Sequence, residues 1–193
     1  MKITKFIRSL SKRAKIVTGV FATLAVLGIP VVVIAGYGPN GGDRTIYDFS
    51  NPAEREGAFD APRFNSYINT NVYGDERAFL DTKECTTNGA ACYQNGVSGG
   101  YLDNQTVTPG KEYIVRAYVH NIANPSINDN PATPAPLDGI GVAKNTKIRF
   151  ELPTGIANGF TAQARISADN SIPTMVYDTV DFKNDNQRYS VEY

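Results

Sequence analysis

One run dominates the hydrophobic pattern of the chain. Residues 16–35 (IVTGVFATLAVLGIPVVVIA) carry no charge, whereas residues 1–15 (MKITKFIRSLSKRAK) hold six basic residues and no acid. As a helix, a run of this length reaches roughly 30 Å, enough to cross a bilayer. The basic flank stays on the cytoplasmic side by the positive-inside rule, which places residues 37–193 outside. Two readings stand. The segment 16–36 is an uncleaved transmembrane anchor, or it is the apolar and terminal part of a signal peptide cut near Ala35. Either way the rest of the chain is exported, to the cell surface or as a secreted protein.

Beyond residue 36 no segment sustains the i, i+3, i+4, i+7 spacing of an amphipathic helix. Polar and apolar positions alternate instead. Glu112–Asn121 (EYIVRAYVHN) puts Tyr113, Val115, Ala117 and Val119 on one face and Ile114, Arg116, Tyr118 and His120 on the other. Thr146–Leu152 sets Ile148, Phe150 and Leu152 against Lys147, Arg149 and Glu151. Phe160–Ala168, Met175–Phe182 and Arg188–Tyr193 continue the series, and Thr45–Phe49, Phe64–Ile68 and Ala78–Asp81 are weaker candidates. Turn dipeptides such as Asn95-Gly96, Pro109-Gly110 and Asn158-Gly159 separate them. Short alternating strands between turns predict an all-β antiparallel sandwich or barrel behind the N-terminal helix. Residues 122–141 interrupt the pattern with four prolines and predict a long extended loop. The strand-like end at Tyr189–Tyr193 leads us to expect a further partner strand or domain beyond it.

Charge narrows the partners. The formal net charge is zero over the whole chain, but the part after residue 15 holds 13 basic and 19 acidic residues, a net −6. That excess argues against a protein that neutralises nucleic-acid phosphates. A single His excludes a zinc site built from several histidines, and 41% hydrophobic content argues against disorder throughout.

The candidates for chemistry are few. Cys85 and Cys92 bracket TTNGAA. A two-residue turn at Asn88-Gly89 would set them opposite each other in a hairpin, close enough for a disulfide, which export favours. His120, the only His, would have to serve any Ser-His-Asp triad, and its place at a strand end suits an exposed or satisfied edge better. Asp178 and Asp181 fall on opposite strand faces and make no paired carboxylate site. Asp129 and Asp138 could offer oxygens to Ca²⁺, but no EF-hand spacing is present. Gly36-Tyr37-Gly38-Pro39-Asn40-Gly41 matches a dinucleotide-binding glycine pattern, yet no helical pattern follows it. Tyr37, Tyr47, Tyr67, Tyr73, Tyr93 and Tyr101 gather in one half of the chain, as sheet packing or as a contact surface. No catalytic residue, metal site or cofactor is expected. The polar residues of the long loop, Asn124, Asn128, Asp129, Asn130 and Asp138, are the candidate contact residues.

From Pro109 onward the chain resembles the Ig-like "conserved repeat" modules of bacterial surface proteins, a family of unknown function. Gly110, the strand from Tyr113 through Val115 and Val119 to Asn121, and Val142–Leu152 closing in Pro153-x-Gly155 carry the resemblance. It covers about residues 106–193. The insertion at 122–141 departs from the pattern, and residues 37–105 have no counterpart. The resemblance implies an extracellular Ig-like antiparallel β-sandwich and no chemistry. The expected organisation is a basic n-region at 1–15, an anchor or signal segment at 16–36, a strand and loop region with the disulfide at 37–105, and the Ig-like unit at 106–193. The expected function is a non-catalytic structural or adhesive surface module. A glycan- or cell-wall-binding module is the alternative. The partners are the membrane, through the N-terminal helix, and another surface protein or glycan.

Overall fold

The computed structural model describes residues 2–4, 37–39, 44–86, 89, 92, 100–129, 138–184 and 186–193. The apolar run at 16–35 lies outside these residues. Among those described, no helix is long and apolar enough to cross a membrane. Strands make up almost all the regular structure of the described residues, which are all-β. In order they are β1 (Lys2–Thr4), β2 (Tyr47–Asp48), β3 (Tyr67–Ile68), β4 (Leu80–Glu84), β5 (Asn104–Thr106), β6 (Tyr113–Ala117), β7 (Lys147–Glu151), β8 (Ile156–Ala157), β9 (Gly159–Ser167), β10 (Met175–Lys183) and β11 (Tyr189–Glu192). One 3-10 turn, Pro125–Ile127, interrupts them.

The main sheet runs β5-β10-β9-β7. Its centre is the antiparallel β9–β10 pair, in register from Met175 opposite Ser167 to Lys183 opposite Gly159. Directly opposed residues share a face. Val176, Val180 and Phe182 therefore line one side together with Ile166, Ala162 and Phe160. The small Ala162 and Ala164 let a second layer come close. That layer is the antiparallel β4–β6 pair, which brings Phe79, Leu80 and Tyr113 onto the same core. Ile166, Val176, Val180 and Phe182 are at most 1% exposed. Each contributes about 1.5–3 kcal/mol by leaving water. A third sheet sets β11 between β1 and β8.

Several expectations need correction. Two pairings are parallel, β2 with β3 and β5 with β10, where an all-antiparallel arrangement was expected. Parallel neighbours need a long crossover, and the chain between residues 106 and 181 supplies one. The expected strand 112–121 keeps its register only to Ala117. Tyr118 then turns inward against the core, and Val119 is left 37% exposed. The long loop does not begin as a free extended segment. Ile122 is buried and donates to the Arg63 carbonyl, and Ala123 bridges to Ala58.

Residues 61–67 form a buried segment that is mostly not strand. Backbone groups there must find partners away from water. Arg44 Nη2 donates to the carbonyls of Phe64 and Asn65. Asn65 Nδ2 donates to the Tyr118 carbonyl, and Asn65 Oδ1 accepts from the His120 amide, each at 2.7 Å. The region before residue 105 thus shares one core with the region after it.

Candidate contact surface

Aromatic and ionic side chains from the β2–β3 pair, the β4–β6 layer and its flanking loops form a band that runs from the buried Tyr67 out to Arg116 and Tyr101. Tyr73 stacks on Tyr118 with ring centres 4.4 Å apart. His120 follows at 6.0 Å from Tyr118 and 5.8 Å from Tyr67. Phe49 and Tyr47 meet Tyr67 edge-on. At the other end the Arg116 guanidinium lies 3.4 Å above the Tyr101 ring and 5.8 Å from that of Tyr73. Alternation on β6 makes this possible, because Tyr113, Val115 and Ala117 turn to the core and Arg116 turns out.

The polar tips in the band are mostly committed. Tyr73 donates to Asp81 Oδ2 at 2.7 Å, and Arg116 pairs with the same oxygen at 3.1 Å. Burial and the neighbouring Asp81 push the Tyr73 hydroxyl well above its usual range. His120 Nδ1 lies 2.9 Å from Glu76 Oε1, and the Tyr118 hydroxyl reaches the same oxygen at 3.4 Å. Glu76 is 2% exposed, and its Oε2 has no hydrogen-bond partner. Asp103 is raised by burial, and Asp75 is held below its usual range by Arg77. The band has flat ring faces, one stacked guanidinium and a His–Glu pair, an arrangement suited to stacking and hydrogen bonding with a ligand surface.

An equally buried carboxyl lies elsewhere. Asp178 sits on the core face of β10, 2% exposed. It accepts from the Leu80 amide at 2.7 Å and from the Thr179 amide at 2.8 Å, tying the two layers together. Burial pushes this carboxyl up to about 7, against the pull of those two donors.

The residues singled out in the sequence are distributed as follows. Cys85 and Cys92 form a disulfide, with Cα atoms 5.3 Å apart. The expected hairpin around it lies largely outside the described residues. The Cys85 amide donates to Glu112 across the β4–β6 pair, and the Cys92 amide closes a turn onto Gly89. Asn124 caps the 3-10 turn, accepting from Ser126 and donating to the Glu56 carbonyl. Asn128 accepts through its carbonyl from Gly139, and Gly141 donates to Ile127, so the two ends of the loop are clamped. A Cβ on Gly139 would lie 2.2 Å from the Ile127 carbonyl oxygen, which is why glycine occupies the clamp. Asp129 is exposed and Asp138 half-buried beside it, while Asn130 lies outside the described residues. Of the tyrosines, Tyr47, Tyr67, Tyr73 and Tyr101 enter the band. Tyr37 lies under Arg77 at 4.6 Å, and Tyr93 lies outside the described residues. Among the described residues no three His, Cys, Asp or Glu side chains converge to hold a metal ion.

Sequence reasoning missed Glu76, Arg44 and Asn65. Glu76 sits in a turn-like GDERAF stretch, and its partner His120 is 44 residues away. No local signal marks it.

Residues 37–39 run along the edge of β10. Gly38 and Tyr177 exchange two backbone hydrogen bonds of 2.8 Å. An open, largely apolar cleft of about 550 Å³ lies there, lined by Pro39, Ile172, Pro173, Met175 and Tyr177 among others. Compared with known proteins, the chain matches no family model, no curated protein and no solved structure.

Proposed function

We propose that the chain is an exported surface module, tethered by residues 16–36, that works by contact and not by catalysis. The Gly38–Tyr177 pairing is the observation that carries this reading. Only Gly36 and Tyr37 separate the apolar run from a residue held on the sheet, so a bilayer holding the run would lie directly beneath the body. Two residues extend at most about 7 Å. The apolar cleft at Ile172 and Met175 lies at that same end, which suits an interfacial position. The all-β frame, the disulfide and the acidic exported part fit an extracellular Ig-like sandwich of the "conserved repeat" kind.

Contact falls to loops held on a rigid frame. The loop closed by the Asn128–Gly139 clamp, residues 129–138, is the first candidate. Its clamped ends and prolines limit the entropy lost on binding. Deleting residues 130–137 leaves the clamp in place. Normal surface display with lost attachment to a partner cell or surface is the expected result. Unchanged attachment, or turnover of any substrate by the purified chain, refutes the reading. Mass spectrometry of the native N-terminus separates tethering from secretion: a chain starting near Gly36 rules out the anchor.

The Tyr–Arg–His band favours a second reading, a glycan- or wall-binding module, because flat ring faces stack on sugar rings. A glycan array with Tyr101→Ala and Tyr73→Ala variants tests it. Binding lost in both supports it, and no binding by the intact chain refutes it.

A further inference from the structure

β7 is the outermost strand of the main sheet. Among the described residues its outer edge takes no partner. Its register on β9 sets Ile148 opposite Ile166 and Phe150 opposite Ala164, so Ile148 and Phe150 lie on the core side of the sheet. Leu152 follows with the same parity. The second layer does not reach them: Ile148 is 49%, Phe150 42% and Leu152 39% exposed. The sequence expects these three as the buried side of a half-buried strand, and they are the uncovered end of the apolar face instead. A long apolar edge left open in this way is a template for another strand.

The charges on the opposite side say which strand. Arg149 and Glu151 alternate in sign; within one copy they pair with each other at 3.6 Å and Glu151 also meets Arg165 at 3.2 Å, exposed contacts that a second copy would share or replace. Two copies of β7 laid antiparallel and centred on Phe150 bring Arg149 opposite the second copy's Glu151, and Glu151 opposite its Arg149. On the other face Ile148 meets Leu152, and Phe150 meets Phe150. Sliding the register by one residue would put apolar against charged side chains. Centring it on Arg149 would oppose two arginines and leave Leu152 unpaired. Pro153, which has no N–H, falls at the end of the paired stretch and stops it there.

We infer that β7 is a homophilic edge: two copies of this chain pair through it about a two-fold axis at Phe150. Their main sheets join into one of eight strands. The contact is isologous and closes on itself, so it gives dimers and not filaments. Cross-strand pairs of opposite charge and apolar pairs both stabilise such a seam.

The test uses the full chain in detergent micelles, by sedimentation and light scattering. The wild type is expected to dimerise reversibly. Arg149→Glu and Glu151→Arg each place like charges opposite each other twice, and each is expected to weaken the dimer at least tenfold. Mixed together, these two variants are complementary at both positions and are expected to pair with each other. Circular dichroism establishes that both remain folded. Phe150→Cys, on the two-fold axis, is expected to oxidise to a covalent dimer, with Ile148→Cys alone doing so poorly. Cys85 and Cys92 are already bridged and do not compete. A wild type that stays monomeric overturns the inference. So does a dimer indifferent to both charge changes, or a mixture of the two folded variants that fails to associate.

Discussion

The carboxyl of Asp178 offers the most direct quantitative test of the fold. It is 2% exposed and lies between two layers, yet it is an acid. Its folded value of about 7 stands above the ordinary 3.8 because burial disfavours the charge more than the Leu80 and Thr179 amides favour it. The folded state therefore holds the proton more tightly than the unfolded state does. The stabilisation from this group is complete below about pH 4, declines as pH rises through the window from about 4 to 7, and is gone above it. Three pH units at about 1.4 kcal/mol each come to about 4 kcal/mol. Asp178→Asn fixes the side chain in a neutral form. It also turns an amide N–H₂ toward one of the two backbone donors, which costs about 1–3 kcal/mol at every pH. Urea unfolding of the full chain in detergent, run on both proteins from pH 4 to pH 9, yields a difference curve free of the other titrating groups. Wild-type stability minus variant stability is expected to fall by about 4 kcal/mol between pH 4 and 7 and then level off. Carboxyl NMR should place the Asp178 titration near 7. A difference curve flat to about 1 kcal/mol, or a titration below pH 5, refutes the argument that desolvation dominates.

Other substitutions probe separate features. Cys85→Ser with Cys92→Ser opens a loop of sequence separation 7, with an expected loss of about 2.5 kcal/mol from the freed unfolded chain, read as a lower urea midpoint. Gly57→Ala places a Cβ 2.0 Å from the Ile122 carbonyl oxygen at a φ of +81°, so thermal unfolding should register a loss of at least about 3 kcal/mol. Asn65→Ala strips partners from the Tyr118 carbonyl and the His120 amide, and hydrogen exchange at His120 should speed up with a loss of about 3 kcal/mol overall.

Alternation made the longest strands legible. β9 and β10 fall within a residue of the expected spans because their apolar positions repeat every second residue and face a single core. The pattern could not show where that core ends. Ile148, Phe150 and Leu152 have the same signature as Val176, Val180 and Phe182, but the second layer covers only the latter. Exposure at β7 depends on how many strands oppose it, which is a property of topology. The buried segment at 61–67 was also illegible. Its burial rests on Arg44, on Asn65 and on Asn121, whose Oδ1 accepts from the Arg63 amide, each useful only through partners far along the chain. The Cys pair was legible as a disulfide because the spacing and the expected export both favour one. The bond from the Cys85 amide to Glu112 was not legible, since that partner lies 27 residues away.

The proposed export, if it holds, bears on one pairing in particular. β1 lies antiparallel to β11, Lys2 opposite Glu192. If residues 16–35 span the bilayer, Lys2–Thr4 stay on the far side of it; if the chain is cut near Ala35, they are removed. Under either route β11 must hold without β1. Its own contacts are sufficient for that. Tyr189 is fully buried, donates to the Phe182 carbonyl at 2.7 Å and meets Phe160 edge-on at 5.1 Å. Tyr189 and Ser190 also pair with β8. A buried ring of this kind, with its hydroxyl satisfied, outweighs three residues of edge ladder. If the body is exported as proposed, it therefore keeps β11 in place and gains a second open strand edge, on the β11 sheet, in addition to the one at β7.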